Sequence, residues 1–378
     1  MKNDFSWEIG ILIEDGNRID KAFRQEVTGM DKEKLRAFFE KEEYGIWRTG
    51  EKVSYEIPKE GTVEPLVFFG QEVPGKPVII KVDGVSFTVR VLLPYEDSPH
   101  KDGHPFFVCM HPIQPTETAR KAGYGLIFMN SIEIASDDYK HDGCFYKLYP
   151  YKKESQTGVL MAWAWGASKV LDAVKAGLGA ELGFNPDLGI VTGVSRWGKA
   201  TAVCGAFDHR FKMVAPTCSG AGGLALYDYK STGKSYDLSS LGAPNDYTYG
   251  ENEPLSCLQS DAERGWFVDE FLKFKTEAEI PYNQEMLAAM AMDEDSYYFI
   301  LCAATGEDWV NAPAMWECYN RALPYYEEAG LLRHFAIHVH KEGHAVIEED
   351  MELIIKYFDS DIFSDKHDFL CKSQTLYV

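Results

Sequence analysis

A serine lies between two glycines at the point where a predicted strand meets a predicted helix. The apolar strand LGIVT (188–192) is followed by GVSRWGK (193–199) and then by the helix former ATAVCGAF (200–207). Small neighbours permit the strained backbone that exposes a serine hydroxyl on such a turn, and the first N–H groups of the helix can bind an oxyanion. The pattern predicts Ser195 as the nucleophile of an acyl transfer; the alternative is an ordinary glycine-containing strand-to-helix turn.

The residues around this serine depart from the common G-x-S-x-G pattern. Trp197 occupies the place of the second glycine, and Gly198 comes one residue later, which weakens a generic lipase assignment. Arg196 and Lys199 place two cations beside the nucleophile. These cations would serve little purpose for an uncharged ester, whereas they suit an acidic sugar.

A nucleophilic serine needs a base, and the base needs an acid that orients it. In the chain order of α/β-hydrolases the histidine comes last, and His344 stands between a predicted strand (335–339) and the last predicted helix. Glu307 and Asp308 follow the preceding predicted strand (297–302), and both are candidates for the acid. The alternatives are a surface-loop histidine and a solvated acidic turn.

The histidines near the end of the chain could also be ligands of a metal. His338, His340 and His344 have a ligand-like spacing, and H-x-H is common in metal sites. His338 and His340, however, point the same way on one strand and are better interpreted as packed or rim residues. Acyl transfer by a serine, a histidine and an acid requires neither a metal nor a cofactor.

The elements that would position these residues alternate between strands and helices. Two β-branched runs joined around Asp83-Gly84 predict an antiparallel hairpin at an edge of the sheet. The apolar runs 105–110, 125–129 and 188–192, with a helical stretch at 159–177, predict parallel strands with right-handed crossovers. We therefore expect an α/β-hydrolase fold, a three-layer αβα sandwich with a mainly parallel central sheet and an antiparallel N-terminal hairpin.

The chain shows no linker that would divide it into several domains. Residues 1–60 are polar and predict a helical or irregular N-terminal extension, while 61–378 form the catalytic domain. A stretch at about 225–262, rich in Tyr, Ser, Gly and Asp, predicts an insertion over the carboxyl ends of the strands.

The charge of the chain excludes several partners. Its 59 acidic and 38 basic residues give a formal net charge of −21, and such a field repels nucleic acid and anionic lipid. An acidic sugar would therefore need local Arg or Lys. No stretch approaches the ~20 apolar residues of a membrane span, and the start MKNDFSWEIG lacks the apolar core of a signal peptide. We expect a cytoplasmic protein, or a secreted one if a signal has been removed.

Several segments together resemble the glucuronoyl esterases, carbohydrate esterase family 15. The strand-to-helix turn at Ser195 resembles their Gly-x-Ser-Arg-x-Gly-Lys, in which a cysteine often takes the place of Val194. Six further segments are similar to the family in the right order: AWAWGASKVLDAV, PTCSGAGG, ERGWF, PYNQEMLAAMA, GEDWVNAP and KEGHAV. The resemblance runs from about residue 75 to 360.

The resemblance implies roles for several residues. Arg196 would stabilise the oxyanion, Lys199 would hold sugar hydroxyls, and Glu263 and Trp309 would line the uronate subsite. Cys218 stands where many members carry the catalytic glutamate. The other acid position of the family falls on Glu307, which is preferred slightly over Asp308.

A further departure lies ahead of Glu263. The family's sugar-binding glutamine is expected there, and only Gln259 is near, out of register. The resemblance therefore leaves open whether the substrate is the usual one of the family.

The activity that the resemblance implies is hydrolysis of esters of 4-O-methyl-glucuronate in plant cell-wall xylan, as part of lignocellulose degradation. The expected partner is a uronic-acid-bearing oligosaccharide or a small uronate ester, and the oligomeric state is open. Two alternatives stay open: a sugar acetyl esterase resembling acetyl xylan esterases, and a non-catalytic carbohydrate-binding relative, which Cys218 suggests.

Overall fold

The computed structural model describes residues 32–59, 61–68, 70–97, 99–100, 103–112, 114–229, 253–303, 309–340 and 344–362. The strands are β1 (Val53–Glu56), β2 (Val67–Phe68), β3 (Gln71–Glu72), β4 (Lys76–Val82), β5 (Val85–Leu92), β6 (His104–Cys109), β7 (Gly125–Met129), β8 (Phe184–Val194), β9 (Met213–Thr217), β10 (Tyr297–Ala303) and β11 (Phe335–His340). The α-helices are α1 (Lys32–Glu42), α2 (Thr116–Lys121), α3 (Ser131–Ile134), α4 (Cys144–Leu148), α5 (Val159–Ala173), α6 (Gly179–Leu182), α7 (Arg196–Phe207), α8 (Leu255–Leu258), α9 (Glu285–Met290), α10 (Ala312–Glu328) and α11 (Glu348–Ile362).

Nine of the described strands form one sheet, in the order β1-β4-β5-β7-β6-β8-β9-β10-β11. The six strands from β7 to β11 along this order pair in parallel, whereas β1, β4 and β5 add antiparallel pairs at one end. Strands β2 and β3 form a separate hairpin. In a parallel sheet the carboxyl ends of the strands lie at one edge, and ligands bind there.

Two hydrophobic cores cover the two faces of this sheet. Along β6, Phe106 and Val108 face the core that contains α5 and α7, while Phe107 and Cys109 face the core that contains α11. This alternation follows from the two-residue period of a strand, and the buried apolar run 105–109 of β6 is typical of a strand buried on both faces. The three layers and the mainly parallel sheet confirm the predicted α/β-hydrolase fold.

The predicted hairpin is β4–β5. Asp83 and Gly84 both have positive φ, 40° and 93°, as a tight turn of type I′ requires, and Val82 pairs with Val85. The hairpin does not form the sheet edge, however, because β1 pairs with β4 on its outer side. Sequence reasoning missed this strand, since the four residues of β1 carry only a weak alternating pattern.

The N-terminal residues that the structure describes join the main core. Leu35 and Phe39 of α1 are buried in the same core as the sheet, and β1 belongs to the sheet. The division of the chain at residue 60 stays a prediction. Residues 1–31 and most of the predicted 225–262 insertion lie outside the described residues. No helix of the described part is long and apolar enough to span a membrane.

Candidate active site

Ser195 occupies a strained turn between β8 and α7. Its backbone has φ 61° and ψ −129°, a conformation that costs a non-glycine residue about 1–3 kcal/mol and is found mostly at functional sites. Two hydrogen bonds hold it: its N–H donates to the carbonyl of Thr217 at 3.0 Å, and its carbonyl accepts from the N–H of Lys199 at 2.9 Å. The backbone therefore has the geometry of a nucleophile elbow.

The structure explains why tryptophan stands where the usual pattern has glycine. A Cβ on Gly198 would lie 2.3 Å from the carbonyl oxygen of Thr217, and one on Gly193 would lie 2.6 Å from that of Trp197. Gly193 and Gly198 are thus the positions where α7 approaches the sheet closely. The Trp197 ring lies behind the turn, where it packs in the core and donates from Nε1 to Oγ of Ser131 at 2.7 Å.

Arg196 is held beside the nucleophile by a carboxylate. Its Nη1 lies 2.5 Å from Oδ2 of Asp137, whose Oδ1 accepts from Nε1 of Trp266 at 2.8 Å. The guanidinium also lies over the Trp266 ring, 5.3 Å from its centroid. Burial lowers the pKa of Arg196, but Asp137 outweighs burial, so the pKa is raised and the group stays cationic. With 38% of its side chain exposed, Arg196 can meet a negative charge that develops at the turn.

Lys199 points away from solvent and into a buried ion pair. Its ammonium donates to Oε2 of Glu253 at 2.5 Å, to the carbonyl of Ser219 at 2.8 Å and to that of Ala221 at 2.6 Å. An ammonium has three N–H groups, and these three acceptors match them. In this arrangement Lys199 fixes the chain after β9, and its predicted contact with sugar hydroxyls stays a prediction.

Glu263 lies close to this ion pair and carries an unusual carboxyl group. Burial, and then the negative charge of Glu253, raise its pKa to about 8, which favours the protonated form of the carboxyl. Its Oε2 is buried and has no hydrogen-bond partner among the described residues. A protonated carboxyl can donate as well as accept a hydrogen bond, which suits contact with a sugar hydroxyl or carbonyl.

Two observations bring the His344 segment to the nucleophile. Val346, two residues after His344, packs in one small cluster with Val194, Cys218 and Val310. His111, which follows β6, stacks on Trp197 with ring centroids 5.3 Å apart. Burial, and then the charge of His344, lower the pKa of His111 to about 3, so His344 lies within electrostatic reach of the residues behind the elbow. His344 itself is exposed.

The acid of the triad cannot be Cys218, which occupies the usual glutamate position. Cys218 is buried at the end of β9 with φ 45°, and its N–H donates to the carbonyl of Leu301 at 2.8 Å. Glu307 and Asp308 lie outside the described residues, so the choice between them stays a prediction. Trp309, the next residue, packs against the cluster of Val194 and Val346, which carries the chain after β10 to the elbow.

Gln259, His338 and His340 make contacts with other parts of the chain. Gln259 donates from Nε2 to the carbonyls of Phe271 and Phe274 at 3.3 and 2.8 Å, so it holds a neighbouring loop. His338 and His340 are buried at the end of β11, as packed residues, and face Asp350. Within the described part, no group of three or more His, Cys, Asp or Glu side chains is arranged to hold a metal ion.

Sequence reasoning missed Asp137, Glu253 and His111. Asp137 and Glu253 stand in polar stretches without a pattern, 59 and 54 residues from the cations that they bind. A buried lysine needs a carboxylate partner, which is a signal that such a residue exists but not where it lies. His111 follows directly after an apolar strand, where side chains of the catalytic edge are expected, and that signal was available.

The parallel sheet and the strained serine at the end of β8 place this protein in the class of serine α/β-hydrolases. A model of the family described as "Glucuronyl esterase, fungi" matches residues 78–330. The chain belongs to the glucuronoyl esterase family, carbohydrate esterase family 15.

Relatives and solved structures agree with this assignment. A multidomain esterase from Ruminococcus flavefaciens is 48% identical over 286 residues, which cover 74% of this chain and 37% of that protein. A 4-O-methyl-glucuronoyl methylesterase from Podospora anserina is 28% identical and shares 57% of this chain and 41% of its own length. The chain therefore spans less than half the length of these curated relatives.

Among solved structures, the chain is similar to a carbohydrate esterase family 15 glucuronoyl esterase from Caldicellulosiruptor kristjansonii. The TM-score is 0.72 with 30% sequence identity, and the alignment covers 88% of this chain and 84% of that one. The glucuronoyl esterase of Sporotrichum thermophile, whose structure contains methyl 4-O-methyl-β-D-glucopyranuronate, has a TM-score of 0.66 at 18% identity. This second likeness concerns the fold alone.

Proposed function

We propose that this protein is a serine carboxylic-ester hydrolase that cleaves esters of glucuronate, including those of 4-O-methyl-glucuronate in plant cell-wall carbohydrate. The observation that carries the proposal is the cation beside the nucleophile: Asp137 binds Arg196 one residue after the strained Ser195. In a chain of net charge −21, a guanidinium fixed at this point faces the negative charge that develops on the ester carbonyl oxygen and that the glucuronate product carries. Relatives named as 4-O-methyl-glucuronoyl methylesterases support the same substrate class.

The proposed reaction has two steps. His344 takes the proton of the Ser195 hydroxyl, and the oxygen attacks the ester carbonyl. The N–H groups at the start of α7 and the Arg196 guanidinium stabilise the tetrahedral oxyanion. His344 then gives its proton to the leaving alcohol, which departs and leaves a glucuronoyl ester on Ser195. Water, deprotonated by His344, attacks this ester; the bond to Ser195 breaks, His344 returns its proton to the Ser195 oxygen, and glucuronate is released.

The substrate subsite is proposed from the residues around Lys199. Burial and the charge of Glu253 raise the pKa of Glu263 to about 8, and Glu263 lies within electrostatic reach of Lys199 and Glu253. The N–H of Glu253 donates to the carbonyl of Trp309 at 2.8 Å. We assign binding of the uronate ring to Glu263 and Trp309, whereas Lys199 shapes the wall on which the ring would rest. An uronate-bearing oligosaccharide or a small uronate ester is the proposed partner.

Hydrolysis of paired small substrates tests this function. The benzyl ester of glucuronic acid and an acetylated xylo-oligosaccharide are offered to the wild type and to Ser195→Ala. We expect turnover of the uronate ester alone, and loss of at least ~10³-fold in kcat for Ser195→Ala, as for other serine nucleophiles. Glu307→Ala and Asp308→Ala, compared on the same ester, then identify the acid.

The other outcomes distinguish the alternatives. Turnover of the acetyl ester alone would be consistent with Ser195 as the nucleophile and would overturn the uronate specificity. Turnover of neither substrate, with glucuronate oligosaccharides still bound, would favour a carbohydrate-binding relative. Uronate ester turnover that survives Ser195→Ala would contradict the assignment of the nucleophile.

A further inference from the structure

A buried carboxylate lies beneath the segment that carries His344 and takes no part in the reaction described above. Asp350 is in the first turn of α11 and is fully buried. Its Oδ2 lies 2.9 Å from Nδ1 of His340 and accepts a hydrogen bond from the N–H of Ile347, also at 2.9 Å. Since an ionised carboxylate only accepts hydrogen bonds, His340 donates from Nδ1.

This single oxygen binds the chain on both sides of His344. His340 is the last residue of β11, four positions before His344, and Ile347 directly precedes α11, three positions after it. The side chain of His344 is exposed, and the position of its backbone sets where that side chain starts. The two hydrogen bonds to Asp350 fix that backbone at both ends to the sheet and to the last helix.

Stability alone is a weak reason for such a pair. Taking a carboxylate and an imidazole out of water costs several kcal/mol, and apolar side chains of similar volume are often equally stabilising. The neighbouring helix residues Met351, Ile354 and Ile355 are apolar and buried, so Asp350 and the two histidines that face it are the polar exception there. The two hydrogen bonds to Asp350 Oδ2 do, however, specify one arrangement of the chain on both sides of His344.

We propose that Asp350 and His340 are positioning residues that hold His344 in line with Ser195. The proposal rests on the proposed function, in which His344 is the base. Neither residue touches the substrate; both act through the geometry of His344. Precise placement of a catalytic group is worth factors of ten to a hundred in rate.

The first experiment compares Asp350→Asn with a carboxylate on the same helix. Asp359 is nine residues further along α11 and accepts from the hydroxyl of Tyr124 at 2.6 Å, so Asp359→Asn is a matched control. With the benzyl ester of glucuronic acid, Asp350→Asn is expected to lower kcat 10- to 100-fold and to change KM less than 2-fold. Asp359→Asn is expected to keep kcat. Equal kcat in Asp350→Asn and the wild type would overturn the proposal.

A second pair of variants covers the case that Asp350→Asn fails to fold. His340→Asn places an amide N–H near the position of Nδ1 and should retain most of kcat, whereas His340→Leu removes the donor and should lose 10- to 100-fold. The rate at which a fluorophosphonate modifies Ser195 should fall in parallel, because that reaction needs the base but not the sugar subsite. Equal rates in His340→Asn and His340→Leu would contradict the proposal.

A double-mutant cycle separates this proposal from the proposed function. If Asp350 acts through His344, Asp350→Asn should cause no further loss of residual activity in a His344→Ala background. A multiplicative loss would show a general structural effect and overturn the positioning role. Full activity of His344→Ala itself would instead contradict the assignment of the base, and with it the proposed mechanism.

Discussion

Asp137 lies 2.5 Å from Nη1 of Arg196 and so ties the residue after the nucleophile to the chain that follows α3. Replacing Asp137 by Asn removes the charge that fixes the guanidinium, and we expect kcat/KM for a uronate ester to fall about 10- to 100-fold. Asp138→Asn is the control, since Asp138 accepts hydrogen bonds from Ser136 and the N–H of Lys140 instead. The measurement is kcat/KM of both variants from steady-state kinetics. Equal kcat/KM in Asp137→Asn and Asp138→Asn would contradict the positioning of Arg196 by Asp137.

Gly198→Ala should damage both stability and catalysis. The added Cβ would lie 2.3 Å from the carbonyl oxygen of Thr217, a backbone atom that cannot move aside. Overpacking of this kind costs about 1–3 kcal/mol, and the shift would reach Ser195 directly. The control is Gly330→Ala, where φ is 73° but nothing lies within 4 Å. Urea denaturation and kcat should change together only in Gly198→Ala; unchanged kcat there would contradict the close approach.

The ion pair of Lys199 and Glu253 should behave as a unit. Both side chains are 3% exposed, and removal of one partner from a buried pair costs about 3–5 kcal/mol because it strands the other charge. We expect Glu253→Leu to be strongly destabilised and Lys199→Met/Glu253→Leu to recover most of the loss in urea denaturation. Additive losses in the double variant would argue against direct coupling.

Glu263 predicts a dependence of substrate binding on pH. Burial and the charge of Glu253 raise its pKa to about 8, so the carboxyl loses its proton as the pH rises through that value. The ionised carboxyl can no longer donate a hydrogen bond to the sugar, so KM should rise above pH 8. Glu263→Gln, which stays neutral, should show a flat KM across this range. Asp261→Asn, at an exposed carboxylate paired with Arg264, should titrate like the wild type; a flat KM in the wild type would refute the role of Glu263.

Glu43 predicts a dependence of stability on pH. The carboxyl is fully buried and accepts hydrogen bonds from Tyr227 and Gln284, and burial raises its pKa to about 7. Between about pH 4.5 and 7 the folded chain keeps a proton that the unfolded chain releases, so the free energy of unfolding falls as the pH rises, by roughly 3 kcal/mol in total. Glu43→Gln should remove this slope in urea denaturation, whereas Glu33→Gln, at an exposed site, should keep it.

The sequence by itself determined the features that depend on neighbours along the chain. The type of turn at Asp83-Gly84 and the strand-to-helix turn at Ser195 follow from local backbone geometry, which glycine and small residues permit. The mainly parallel sheet follows from apolar runs whose lengths and spacing fit buried strands. These properties are readable because each is set within a few residues.

Only the tertiary structure decided which distant groups meet. Asp137 binds Arg196 across 59 residues, and Glu253 binds Lys199 across 54, because the parallel strands bring the loops after them to one edge of the sheet. The same packing shows that Gly198 faces Thr217, so Trp197 can replace the usual glycine without loss of the elbow. Burial raises the pKa of Glu263 and removes the Asp350 carboxyl from solvent. It is a property of the packed chain, and no local pattern in the sequence encodes it.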